Sequence, residues 1–336
     1  MSRNKSSLKK ILIIGGGTGT YTVLTGLKKY PELHLSVIVS MTDSGGSNRV
    51  IRDEFGLLPT SDIRQCLVAL SEEKPSDILR KLFTYRYNAG TGISGMTFGN
   101  LFMAALTDIY GSQEVAIKKT CEFLDVVGNI IPVTYDNSHL VARYDNGKQV
   151  LGEHYIDEPL SDNDGHKIVE LEVFPPAQAN PDALSAIKKA DLIVLGPGDL
   201  FTSILSNVVV GGIADAIKKS KAKKVFVVNL MTRHGQTDGF SASDHLTEIE
   251  KYLGKGVVDV CLVNKSNNFP RGILKRYEEE DAYPVKDDFK DNKKVKIVRE
   301  DFVSGVVYEK QESDRLIRSL IRHNPAKLAK ALISLL

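Results

Sequence analysis

The sequence predicts an α/β protein: a Rossmann-like, mostly parallel sheet flanked by helices. Three observations carry that expectation. First, the apolar run Ile11-Leu12-Ile13-Ile14 stops at Gly15-Gly16-Gly17-Thr18-Gly19-Thr20. An amphipathic stretch with Val23, Leu24 and Leu27 on one face follows, which is strand, glycine turn and helix. Second, the same junction recurs at Gly196-Pro197-Gly198-Asp199, after the apolar run Leu192-Ile193-Val194-Leu195. Third, strand candidates ending at 14, 41, 195, 229 and 263 all carry Gly, Asn, Asp or Thr just beyond. A parallel sheet gathers all such ends at one edge, where these folds bind ligands. The 336 residues read as one large domain, with a small antiparallel β insertion at about 136–175 and a C-terminal extension with helices at about 270–336.

The opening loop sets the chemistry. Four glycines in the five residues 15–19 permit positive φ and a close approach of ligand to main chain. The helix that follows offers free N–H groups and a partial positive charge, a ready phosphate site. A P-loop would end in Gly-Lys-Ser/Thr, and no Lys is present. The dinucleotide pattern Gly-x-Gly-x-x-Gly meets Thr20 or Thr22 where its third glycine belongs, so an NAD-linked oxidoreductase is the weakest reading. Thr18 and Thr20 add hydroxyls for phosphate oxygens or for capping.

The remaining elements follow in order. Residues 33–41 read as the second strand, ending at Thr42-Asp43-Ser44-Gly45-Gly46-Ser47. The loop after strand two faces the same crevice as the first, so Asp43 is placed for a ribose or sugar and Ser44, Gly45 and Gly46 for a second group of donors. Pro59-Thr60-Ser61-Asp62 reads as a helix start with Ile63, Leu67 and Leu70 as its stripe. Arg49, Arg52 and Arg64 read individually as solvated, although a guanidinium near a glycine loop can pair with phosphate. Another helix is expected over 78–87. The glycine-dense stretch 88–100 then leads into a helix over 101–109, with Asn100 as its cap or as an amide donor to ligand. A helix at 113–127 and a strand at 129–134 follow.

Residues 140–144 and 148–151 flank Asp145-Asn146-Gly147, a strong hairpin signal. With a strand at 167–174 they form the insertion. Asp157, Glu158, Asp162 and Asp164 read as a solvated acidic loop. The α/β rhythm resumes with a helix at 181–190, a strand at 191–195, and a glycine turn bearing Asp199 and Thr202. Next come a helix containing Asn207, a strand at 223–230 ending at Asn229-Leu230-Met231-Thr232, a helix at 243–252 and a strand at 257–263. Residues 270–291 are charged and read as surface, 294–299 as a strand, and 313–322 and 325–336 as amphipathic helices that cover the sheet or make a dimer contact.

Composition narrows the function classes. The chain is 42% hydrophobic and 26% charged, with a formal net charge of +2. That balance is ordinary for a globular domain and lacks the basic excess of a dedicated nucleic-acid binder. No run has the length of a transmembrane helix. The four apolar residues before the glycines are too few for a signal peptide. Cys66, Cys121 and Cys261 lie far apart in apolar contexts and read as buried, reduced thiols of a cytoplasmic protein. The seven histidines are scattered, and only His234 falls in a ligand-edge loop. There it reads as a solvent-exposed residue. No metal-ligand cluster and no nucleophile set is visible, so no catalytic residue is assigned.

Five motifs taken together resemble the YvcK/CofD-like family over residues 9–265. They are Ile14-Gly15-Gly16-Gly17-Thr18-Gly19, Met41-Thr42-Asp43-Ser44-Gly45-Gly46-Ser47, Phe98-Gly99-Asn100-Leu101, Gly196-Pro197-Gly198-Asp199-Leu200-Phe201-Thr202-Ser203 and Asn229-Leu230-Met231-Thr232. Arg52-Asp53-Glu54-Phe55-Gly56 and Thr237-Asp238-Gly239-Phe240 place the resemblance nearest the bacterial YvcK branch, also called gluconeogenesis factor. The resemblance implies a cytoplasmic protein that binds a UDP-sugar, notably UDP-N-acetylglucosamine, and supports gluconeogenic growth, cell envelope and cell shape. No cofactor is required under it. Gly15, Gly16, Gly17, Thr18, Gly19 and Thr20 would cradle the diphosphate. Asp43, Ser44, Gly45 and Gly46 would contact the sugar or ribose. Asn100, Gly196, Gly198, Asp199, Thr202, Asn207, Asn229 and Thr232 would close the pocket. The other branch implies a 2-phospho-L-lactate transferase acting on a deazaflavin with a guanylyl-activated donor, with Asp43 nearest the chemistry. Magnesium enters only under that second reading. A homodimer is compatible with both.

Overall fold

The computed structural model describes residues 8–72, 78–159, 165–290, 294–306 and 320–336. Ten strands are present among them. They are β1 (Lys9–Gly15), β2 (Leu33–Val39), β3 (Asn129–Pro132), β4 (His139–Tyr144), β5 (Gln149–Leu151), β6 (Ile168–Phe174), β7 (Leu192–Leu195), β8 (Lys223–Val227), β9 (Val260–Asn264) and β10 (Lys296–Glu300). Seven of them form one sheet in the order β10-β9-β8-β7-β1-β2-β3, and every pairing in it is parallel.

Parallel strands covered on both faces must be apolar along their whole length. Ile11 to Ile14 in β1 and Leu192 to Leu195 in β7 are at most 1% exposed, and each such side chain contributes about 1.5–3 kcal/mol of burial. Helices Gly17–Leu27, Ser61–Leu70 and Pro325–Ile333 pack as one group, and helices Pro181–Lys189, Ile213–Lys219 and Ala242–Leu253 as another. From β1 the chain winds outward through β2 to β3, then returns to lay β7 against the other side of β1. That reversal is the topological switch point of a doubly wound sheet, with one more strand than the usual six.

The insertion is a three-stranded antiparallel sheet, β5-β4-β6. Gly147, at φ +81°, donates its N–H to the Tyr144 carbonyl and closes the Asn-Gly turn. Leu140, Ala142, Tyr144, Leu171 and Val173 are buried in the same core cluster as the main sheet.

Several local expectations change. The first helix starts at Gly17, inside the glycine loop, with extended Gly16 at its N-cap. Residues Gly46–Phe55 form a helix, where the sequence reading places a loop to Ser47 and no element beyond it. Asn100 does not cap its helix: Thr97 does, accepting from the Asn100 backbone N–H at 3.3 Å. Residues Arg271–Glu279 form a helix rather than an undifferentiated charged surface. The expected helix at 313–322 falls almost wholly outside the described residues. Helix Pro325–Ile333 covers the sheet beside helix Gly17–Leu27, close enough that a Cβ at Gly26 would strike the Pro325 backbone. No helix among the described residues is long and apolar enough to cross a membrane.

Candidate functional site

The loops after β1 and β7 meet at the switch point and wall a crevice of about 650 Å³, within the size range of small-molecule sites. Of the glycine loop, Gly16, Gly17, Thr18 and Gly19 line it. The glycines are dictated by what lies against them. A Cβ at Gly16 would meet the Asp62 carboxylate, and one at Gly19 the Pro197 carbonyl. Gly17 N–H donates to Asp62 Oδ1 at 2.9 Å. Gly15 and Thr20 stand behind the wall, where a Cβ on Gly15 would press on Thr20 Oγ1.

The loop after β2 supplies Asp43 and Gly45 to the lining. Asp43 Oδ1 accepts from Gly45 N–H at 2.8 Å, while Oδ2 takes a short bond from the Asn48 amide. Asn48 Oδ1 in turn accepts from Thr60 N–H, Ser61 N–H and Ser61 Oγ at 3.0–3.2 Å. Asn100 is fully buried and donates to Ser47 Oγ at 2.9 Å and Ser61 Oγ at 3.3 Å. It therefore braces helices Gly46–Phe55 and Ser61–Leu70 from behind the crevice. Ser44 Oγ accepts from His154 N–H and Gly46 opens its helix; neither lines the crevice.

From the β7 and β8 ends, Gly198, Asp199, Thr202, Asn229 and Thr232 line it. Gly196, at φ +74°, turns the chain beneath them. Asn207 is fully buried, its amide on the Ser203 carbonyl at 2.8 Å.

Several lining residues carry no local sequence signal. Glu153 and Asp157 come from the insertion, on the short helix Glu153–Asp157. Asp157 and Glu158 are thus crevice residues rather than part of a solvated loop; Asp162 and Asp164 lie outside the described residues. Asp157 accepts from Arg233 Nη2 and Gln236 Nε2, both at 3.0 Å. His234 also lines the crevice and bonds Asp238 at 3.2 Å. Arg52 is no solvated side chain. Its Nη2 reaches Asn137 Oδ1 and the Ser138 carbonyl at 2.8 Å, clamping the Asp43 loop to the insertion. The extension contributes Arg276, Tyr277, Arg322 and His323, with Tyr277 Oη accepting from Leu320 N–H at 2.9 Å.

The crevice is rich in carboxylates. Burial, then the neighbouring Asp43 charge, pushes Glu153 well above its ordinary range. Burial also raises Asp43, against the pull of the Gly45 N–H and the Asn48 and Glu153 hydrogen bonds. Asp43 hydrogen bonds to the Glu153 carboxyl, and two neighbouring buried carboxyls each disfavour the other's ionisation. Asp199 is pushed up to about 6 by burial and by Asp157. Burial pulls Arg233 down, but Asp199 and Asp157 outweigh it and hold the guanidinium charged. The arrangement can therefore offer backbone donors, a fixed guanidinium and a hydrogen-bonded carboxyl pair to one bound molecule. No group of three or more His, Cys, Asp or Glu among the described residues is placed to hold a metal ion.

Fold and crevice together define the class: a doubly wound Rossmann-like protein with a glycine-walled crevice at its switch point. The family model described as 2-phospho-L-lactate transferase CofD matches residues 11–303. The chain belongs to this CofD-like family, in its YvcK branch. It is 42% identical over 320 residues to the putative gluconeogenesis factor of Thermotoga maritima, spanning 95% of this chain and 97% of that one. It is 36% identical over 331 residues to the gluconeogenesis factor of Bacillus subtilis, spanning 97% and 98%. The crystal structure of a UPF0052 family member from Bacillus halodurans superposes with a TM-score of 0.85 at 36% identity, covering 97% of this chain and 98% of that one.

Proposed function

We propose that the protein binds a nucleotide-diphosphate sugar, UDP-N-acetylglucosamine in the first instance, and acts as a cytoplasmic regulatory factor for gluconeogenic growth, cell envelope and cell shape. The observation that carries this reading is the meeting of the Gly16–Gly19 and Gly198 backbones at the switch point, beside Arg233. Backbone N–H groups and a guanidinium suit a diphosphate. Asp43, Glu153 and Asn229 suit hydroxyls of ribose or sugar. The relatives called gluconeogenesis factor support the gluconeogenic part of this reading. No cofactor is needed for binding.

A phospholactyl transferase is the second reading, favoured by the family model's description and by the hydrogen-bonded Asp43–Glu153 pair, both carboxyls raised by burial. Such a pair could take the proton of an attacking hydroxyl, and magnesium on the phosphates belongs to this reading alone. Titration calorimetry with UDP-N-acetylglucosamine, GDP and NAD separates the two. Binding of the UDP-sugar alone supports the regulator. Tight GDP binding with phospholactyl transfer, and no UDP-sugar binding, reverses the choice. Thr18→Ala and Asp43→Ala should each weaken UDP-sugar binding about tenfold. If both folded variants bind like the parent, the ligand sits elsewhere.

A further inference from the structure

We infer that Asp62 is the resident anion of this crevice, displaced when the phosphate of the ligand arrives, and that the displacement reports occupancy to the helices behind the wall. The inference rests on the nucleotide-diphosphate reading above.

Asp62 lies in the first turn of helix Ser61–Leu70, yet its carboxylate reaches across to the start of helix Gly17–Leu27. Oδ1 accepts the Gly17 N–H at 2.9 Å, and the other oxygen packs on Gly16 so tightly that no Cβ would fit between. A carboxylate there satisfies one of the free N–H groups that a phosphate would seek, and does so with the favourable sign of charge. Two anions do not share the one Gly17 N–H, so phosphate binding there and the Asp62 contact exclude each other. The crevice also holds a donor that no internal acid satisfies: the buried Nε of Arg233, one of its lining residues, has no hydrogen-bond partner. An incoming anion would gain that donor while taking the Gly17 N–H.

What Asp62 is attached to gives the exchange a consequence. Its neighbour Ser61 is the meeting point of Asn48, from helix Gly46–Phe55, and Asn100, from helix Phe98–Tyr110. Asn48 also holds Asp43. Releasing Asp62 from Gly17 thus removes one tie on the first turn of a helix that two others grip through Ser61, and links phosphate binding to the sugar-side carboxylate. A ligand shifts such an equilibrium only through differential affinity for the two states; here the difference is the N–H that phosphate and Asp62 compete for.

Asp62→Asn, which keeps an acceptor but removes the charge, is the test, with Asp62→Ser as a second variant should the first fold poorly. Both should bind UDP-N-acetylglucosamine and inorganic pyrophosphate at least about tenfold more tightly than the parent. In the parent, hydrogen exchange over residues 60–66 should accelerate when ligand binds. In the variants it should already be fast without ligand. Equal or weaker binding by the variants, or unchanged exchange in the ligand-bound parent, overturns the inference while leaving the nucleotide reading intact. Tighter pyrophosphate binding by the variants without any UDP-sugar binding sustains the inference and removes the nucleotide reading. If neither ligand binds any form of the chain, both fall.

Discussion

At Gly19 the first helix passes the loop after β7 so closely that a single methyl would enter the Pro197 carbonyl. Because the obstacle is backbone, it cannot rotate away. Gly19→Ala should therefore destabilise the fold by about 1–3 kcal/mol, read as a shift in the urea midpoint. The glycine density of residues 15–19 was plain in the sequence, but its cause was not. Asp62, Pro197 and Thr20 press on three of these glycines, and all but Thr20 are remote in sequence. Carboxylate chemistry was still less legible. Glu153 sits in an unremarkable stretch, and only burial beside Asp43 changes its behaviour. A folded pKa raised above the ordinary value favours the protonated form. The stability that goes with it is complete below the ordinary value of 4.5 and is lost as pH rises through the raised value. Glu153→Gln keeps a donor toward Asp43 without the charge. Its Tm should match that of the parent near about pH 4 and exceed it increasingly toward about pH 8.

Element by element, strands and amphipathic helices were legible because each buried one continuous apolar stripe. The helix Gly46–Phe55 was not, because its first residues are Gly46-Ser47-Asn48 and its mean character is polar. Two signals mark it in hindsight. Asp43 takes the Gly45 N–H just ahead of it, and Gly56 ends it at φ +64°, the left-handed stop that helices favour. The helix is held from outside by Arg52, which bonds the carbonyl of Ser138 and the side chain of Asn137 immediately before β4. Arg52→Ala removes both bonds and leaves the Ser138 carbonyl without that donor. A loss of about 1–3 kcal/mol in denaturant unfolding is expected. Since the same helix carries Asn48, weaker nucleotide-sugar binding should accompany it. An equivalent loss of stability with unchanged binding would show that the clamp acts on the fold alone.

Across the whole molecule, the crevice is assembled from the two halves of the sheet, the β insertion and the C-terminal extension. The sequence pointed to one sheet edge, through the Gly, Asn, Asp and Thr residues just beyond the strand ends, but the switch point needs the strand order, which the fold alone supplies. The contribution of the extension could not be read, because its charged residues gave no pattern and their partners lie in distant segments. Tyr277 shows how it works. Its ring joins a small apolar cluster with Leu230, Met231 and Ile321, and its hydroxyl accepts from the backbone N–H groups of Leu320 and Ile321. That one oxygen positions the segment carrying Arg322 and His323 against the crevice. Tyr277→Phe keeps the apolar contacts and deletes only the acceptor. The fold should lose about 1–2 kcal/mol. Arg322 and His323 would then be placed less firmly, so UDP-sugar affinity should fall while inorganic pyrophosphate, which needs only the glycine wall and Arg233, should bind as before. Equal loss for both ligands would instead mean that the extension shapes the whole crevice, with its glycine wall no longer a separable phosphate site.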